Sequence, residues 1–251
     1  MKSAMGFPFS MLAAGLAVTT AAVDAAELLS LDGQVRPSLR AFVNDGQQPV
    51  EDSTTFQMDF DADRATLRDG IFWSDTSIAE VNLGQSFGMV QATTTVEASE
   101  QHFEFRQYIS ASGSIATNDL MQIDFFDRAS FDIRFDTPTP VDITIRLATI
   151  DPPIDQRLTA QVFLAENAGT ELRYDAGDFG SVQEFSVRTT IDPLEYVSMD
   201  FNSLVSFALV DGFPSATLGG LELYGSVTVV PAPGATLCLS AFGLLAARRR
   251  R

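Results

Sequence analysis

The chain has 251 residues, with 16 basic and 33 acidic side chains, one histidine and one cysteine, for a formal net charge of −17. Such a field repels phosphate backbones and argues against a nucleic-acid partner. One histidine is too few for a histidine-rich metal site or a His-Glu-x-x-His zinc hydrolase, and one cysteine excludes a disulfide framework or a cysteine-type zinc site.

The N-terminus reads as an export signal. Lys2 is the only basic residue of Met1–Ser10, and Met11–Val18 is an apolar run. That run is shorter than the roughly 20 residues needed to span a bilayer. Small residues follow in Thr20–Glu27, with Val23 and Ala25 placed for signal peptidase to cut after Ala25. Residues 1–25 are therefore set aside as a signal peptide, and residues 26–229 are read as one domain.

Within that domain 32 acidic residues face 11 basic ones, all arginine. Strands are predicted at Leu28–Leu31 and Ser38–Val43, followed by the turn residues Asn44, Asp45 and Gly46. Phe56, Met58, Phe60 and Ala62 then alternate with Gln57, Asp59, Asp61 and Asp63, the period of a strand with one buried and one wet face. Asp69 and Gly70 mark a turn. The segment after it places Ile71, Phe72 and Trp73 in a loop, and a short helix over Ile71–Val81 fits as well. Another strand is predicted at Phe87–Glu97. Phe103 and Phe105 alternate with His102, Glu104 and Arg106. Phe131, Ile133 and Phe135 precede the turn Thr137-Pro138-Thr139-Pro140, and Val141, Ile143, Ile145 and Leu147 follow it, a pattern that predicts two consecutive antiparallel strands. Later strands are predicted at Leu158–Ala165, Ser181–Thr189, Glu195–Phe201, Ser203–Val210 and Leu221–Val230. Short strands, regular turns and no amphipathic helix predict an all-β antiparallel β-sandwich of jelly-roll type, with a closed barrel as the alternative. The phenylalanines, most of the chain's 20, supply its core volume.

The body carries no catalytic signature. His102 lies on the polar side of its strand and has no Gly-x-Ser-x-Gly elbow to accompany it. No glycine-rich phosphate loop appears, so no nucleotide cofactor is expected. Asp59, Asp61 and Asp63 share one strand face where Ca²⁺ could be held. A solvated face, neutralised by Arg64 and Arg68, is the favoured reading of them. Trp73, Tyr108, Tyr174 and Tyr196 could stack on sugar rings as in a carbohydrate-binding module, although core or rim packing is favoured. A glycosidase would need two carboxylates about 5–10 Å apart, and the sequence marks no such pair.

The C-terminus reads Val230, Pro231, Ala232, Pro233 and Gly234, then the apolar run Ala235–Ala247, then Arg248, Arg249, Arg250 and Arg251. The prolines end the last strand and present an extended backbone to a protease. The apolar run can enter a bilayer as a transmembrane helix, and the arginines hold its end on the cytoplasmic side. These residues resemble the PEP-CTERM sorting tails of exopolysaccharide-producing Gram-negative bacteria, with Ala232 standing where the family usually has glutamate. The resemblance implies processing of residues 230–251 by an exosortase-like membrane protease and transient anchoring in the inner membrane. The expectation is an exported, non-catalytic, structural or adhesive protein of the cell envelope or extracellular matrix. A carbohydrate-binding module associated with exopolysaccharide is the alternative, and a polysaccharide hydrolase ranks below it.

Overall fold

The computed structural model describes residues 27–231 apart from 117–118, 151–154, 165–166, 175–181, 194 and 211–215. Among these residues the chain forms β1 (Leu28–Val35), β2 (Ser38–Asn44), β3 (Pro49–Thr55), β4 (Met58–Asp63), α1 (Arg64–Asp69), β5 (Ile71–Leu83), β6 (Ser86–Ser99) and β7 (His102–Ser114). Then come β8 (Leu120–Phe135), β9 (Thr139–Ile150), β10 (Asp155–Leu164), β11 (Asn167–Tyr174), β12 (Val182–Ile191), β13 (Tyr196–Val210) and β14 (Ala216–Val229). The signal segment and the tail residues Ala232, Pro233, Gly234 and Arg248–Arg251 lie outside the described residues. Among the described residues, no helix is long and apolar enough to cross a membrane.

Among the described residues all the pairings are antiparallel and build two facing sheets, an all-β sandwich. The first sheet runs β11-β10-β13-β8-β1-β4, with β2 beside β8 and β3 beside β2. The second runs β12-β9-β14-β7-β6-β5. The period-2 pattern decides which face is buried. In β8, Met121, Ile123, Phe125, Ala129, Phe131, Ile133 and Phe135 are all fully buried, Asp127 shares their inward face, and the alternate residues face outward.

β8 organises the first sheet. One flank pairs with β13 over its whole length, from Tyr196 opposite Arg134 to Val210 opposite Leu120. The other flank is shared: β1 covers Phe135 to Ala129, and β2 covers Phe126 to Leu120. The interruption falls at Arg36 and Pro37, because proline has no N–H to give the ladder. The Arg36 N–H donates to the Arg128 carbonyl at 3.0 Å, and the Phe56 N–H donates to the Pro37 carbonyl at 3.1 Å. β1-β2 and β3-β4 thus form one long hairpin, broken at the same level on both arms.

A run of rings fills the space between the sheets. Trp73 stacks on Phe56 at 5.5 Å and meets Phe60 edge-on at 5.7 Å. Phe60 leads to Phe131, which touches Phe103 and Phe105, and Phe105 lies 4.7 Å from Phe201. Each fully buried phenylalanine contributes about 1.5–3 kcal/mol from removal of apolar surface, and such ring pairs add somewhat more.

Four local expectations are corrected. Ile71–Val81 is neither loop nor helix but strand, paired with β6 from Ile71 opposite Ala98 onward. The helix lies just before it: Asp63 caps its N-terminus by accepting the Thr66 N–H, and Gly70, at φ +81°, ends it. Phe131–Phe135 and Val141–Leu147 are not paired neighbours, since β8 lies in the first sheet and β9 in the second. The proline-rich turn between them is a crossing between layers. Finally, Glu195–Phe201 and Ser203–Val210 are a single strand, β13.

At one side the sandwich is closed by side chains. The Thr54 hydroxyl of β3 donates to the Ile78 carbonyl at 2.9 Å, and the Glu80 N–H donates to Asp52 at 2.9 Å. Two backbone groups of the β5 edge are thereby capped, which blunts an edge that would otherwise template association.

Candidate functional site

The outer face of the first sheet gathers carboxylates from four strands. Asp61 of β4 lies opposite Asp32 of β1, and Asp32 lies opposite Asp132 of β8, so three carboxylates stand in line across adjacent strands. One level along, Asp59 faces Gln34, Gln34 faces Ser130, and Ser130 faces Asp200 of β13. Gln34 donates to the Ser130 hydroxyl at 3.2 Å. Asp32, Gln34, Asp59, Ser130, Asp132 and Asp200, together with Ser198, line an open depression of about 410 Å³. Like charges on neighbouring strands repel. Burial lifts the Asp200 carboxyl above its ordinary range and Asp132 adds to the effect, while Arg128 opposes it.

The predicted triad Asp59, Asp61 and Asp63 does share this face, and all three are exposed. Asp63 is committed locally, accepting both the N–H and the hydroxyl of Thr66 at 2.9 Å. Those bonds hold its carboxyl below the usual range. Among the described residues, no group of three or more His, Cys, Asp or Glu side chains is arranged to hold a metal ion. The expected neutralisation by Arg64 and Arg68 is corrected: Arg64 pairs with Glu27 and Asp136, and Arg68 with Glu100.

The four candidate aromatics do not form one platform. Trp73 points inward, half-buried against the core. Tyr108 is 43% exposed on the outer face of the second sheet, whereas Tyr196 is 42% exposed on the outer face of the first. The side chain of Tyr174 lies outside the described residues. His102 is half-buried at the start of β7, with Nδ1 3.0 Å from the Thr228 hydroxyl and Nε2 3.7 Å from Glu104.

A second cluster, absent from the sequence reading, lies inside the core. Asp127 of β8 and Gln107 of β7 are fully buried, Ser203 of β13 is 1% exposed and Thr94 of β6 is 3% exposed. Ser203 is the register partner of Asp127, and Thr94 that of Gln107, so each sheet contributes one cross-strand polar pair. The Gln107 amide donates to the Thr94 hydroxyl at 2.9 Å. Both Asp127 carboxylate oxygens, the Gln107 Oε1 and the Ser203 hydroxyl make no hydrogen bond of normal geometry. Burial pushes the Asp127 carboxyl up to about 7; Gln107 and the Arg128 and Arg36 N–H groups approach closely enough to pull the other way. A signal for this cluster exists in the sequence. Each of the four occupies an inward position of an otherwise apolar alternation, as Asp127 does between Phe125 and Ala129.

Fold and faces together define an antiparallel sandwich with an acidic outer surface and a polar cluster at its centre. No protein-family model matches the chain, and no curated protein does. Solved structures that match include the infectious bursal disease virus Gx strain, at 10% identity and a TM-score of 0.20, covering 83% of this chain and 58% of the viral one. The T13 particle of the same virus matches at 8% identity and a TM-score of 0.16, covering 84% of this chain and 66% of the viral one. Likenesses this slight carry no argument about function.

Proposed function

We propose that the chain is an exported protein of the cell envelope or extracellular matrix, with a structural or adhesive, non-catalytic body released from a C-terminal sorting tail. The observation that carries this reading is the position of the tail. β14 ends at Val229, and the Val230 N–H makes a last bond to the Pro140 carbonyl at 2.8 Å. The Val-Pro-Ala-Pro-Gly segment therefore begins where the sandwich stops. A jelly roll is the finer architecture proposed for the body. The strand order supports it: β7 to β14 supply two four-stranded halves, β12-β9-β14-β7 and β11-β10-β13-β8, with the chain passing repeatedly between them.

Intact mass of protein recovered from membranes and from medium tests the proposal. The expected product lacks the N-terminal 25 or 26 residues and Arg248–Arg251. Released protein that retains the four arginines would overturn the sorting reading. Replacing Arg248–Arg251 with serine should disturb sorting and leave the folding of the body unchanged.

A second reading, binding of exopolysaccharide, is favoured by the acidic depression. Its carboxylates, with Gln34, Ser130 and Ser198, offer acceptors and donors to sugar hydroxyls. Glycan-array binding that is lost in an Asp32→Asn/Asp132→Asn double variant would support it, and silence of the unmodified protein would reject it.

A further inference from the structure

We infer that Thr94 and Gln107 are the two ends of a self-forming side-chain ester, and that Asp127 is the acid–base group that makes it. The inference stands on the core cluster alone and holds whether or not the tail is sorted.

The three groups have the required chemistry. The Thr94 hydroxyl oxygen already lies 2.9 Å from the Gln107 amide nitrogen, both side chains project from paired positions of adjacent strands, and the sandwich holds them there. Holding a hydroxyl against the amide group it must attack replaces an encounter with an intramolecular step. A hydroxyl is the nucleophile this core can offer: the body contains no lysine and no cysteine. The surroundings are apolar, with Phe105, Ile109, Val96, Ala92, Phe125 and Ala129 flanking the three residues along their strands, all buried. Exclusion of water protects an ester from the hydrolysis that would reverse it. The unpaired atoms are also informative. A buried polar set kept only for polarity satisfies its own hydrogen bonds. Here Oε1 of the carbonyl to be attacked has no partner, and the Asp127 oxygens are approached by the Gln107 amide and the Arg128 and Arg36 N–H groups without a bond of normal geometry.

The bond changes balance without any oxidant or cofactor. Thr94 Oγ1 attacks Gln107 Cδ and loses its proton as the C–O bond forms. The Cδ–Nε2 bond then breaks and the nitrogen leaves as ammonia. Asp127 gives its proton to the departing nitrogen, and the proton from the Thr94 hydroxyl replaces it, so the carboxyl ends as it began. A carboxyl that stays protonated near neutrality suits this exchange.

Digestion of the denatured protein with Glu-C protease tests the inference. Cleavage after Glu80, Glu97, Glu104 and Glu166 puts Thr94 on peptide 81–97 and Gln107 inside peptide 105–166. The expected result is one branched species containing both peptides, lighter than their sum by about 17 Da, the mass of ammonia, and split by hydroxylamine after denaturation. Joining is the decisive readout, and an internal Gln107 leaves no free α-amine beside the ester to displace it as pyroglutamate. Thr94→Val and Asp127→Asn are near-isosteric changes, and retention of the strand circular-dichroism signal shows that they fold. Both should give separate peptides. Separate peptides with an intact Gln107 carboxamide from folded wild-type protein would overturn the ester, and a joined species in folded Asp127→Asn would overturn the role of Asp127.

Discussion

Phe201 of β13 points its ring across the core at the bare Cα of Gly225 in β14: a Cβ at Gly225 would lie 2.4 Å from Phe201 Cζ and 3.2 Å from Met199 Sδ. The two residues belong to opposite sheets, so this close approach helps set how near the layers come. Gly225→Ala should cost about 1–3 kcal/mol through overpacking. The urea midpoint measures it. A Phe201→Leu/Gly225→Ala double variant should recover part of the loss, because the smaller side chain relieves the clash.

Gly70 is required for a different reason. A Cβ there meets only the Ala98 carbonyl, 4.0 Å away, but φ is +81° with ψ 142°, a region that L side chains rarely adopt. Gly70→Ala should therefore destabilise by about 1–3 kcal/mol from backbone strain, with no change in packing. Thermal unfolding would report the loss, and a crystal structure of the variant would show the core unmoved.

Asp127 makes stability fall as pH rises. Its carboxyl keeps its proton up to about 7 in the folded protein, whereas the unfolded chain releases it near 3.8. Between those values folding takes up a proton, so raising the pH favours the unfolded state. The full effect is roughly 4 kcal/mol at most, at about 1.4 kcal/mol per pH unit. Denaturant melts of Thr94→Val, in which no ester can form, should show this decline from pH 4 to pH 7. Adding Asp127→Asn should flatten that part of the profile and leave the double variant the more stable of the two at pH 8.

The capped edge of β5 yields a prediction about association. Removing the Asp52 carboxylate and the Thr54 hydroxyl, in Asp52→Ala/Thr54→Val, leaves the Glu80 N–H and the Ile78 carbonyl without these partners. The double variant should self-associate more readily at equal concentration, because an open edge templates strand addition. Light scattering and sedimentation would detect it.

Much of the strand content is legible from alternation alone. The acidic face of Phe56–Asp63 and the buried stripe of Phe131–Phe135 read correctly, because successive side chains of any extended chain point to opposite sides. The errors share a physical origin. Ser203 looks like a break between two strands because it is polar, yet it sits at an inward position of β13 opposite Asp127. Trp73 looks like a loop residue because polar residues follow it, yet pairing with Val96 of β6 and stacking on Phe56 hold it in a strand.

By itself the sequence determined local matters: which faces are wet, where turns interrupt, the absence of cross-linking thiols in the body and the negative surface. Each follows from backbone periodicity or composition and needs no distant partner. The tertiary structure alone decided that the Thr137–Pro140 connection passes between layers, that Asp61, Asp32 and Asp132 line up, and that Thr94, Gln107, Asp127 and Ser203 meet at one level. Those relationships join residues far apart in the chain. They depend on which strands pair and in what register, and burial of the whole apolar surface chooses that collectively.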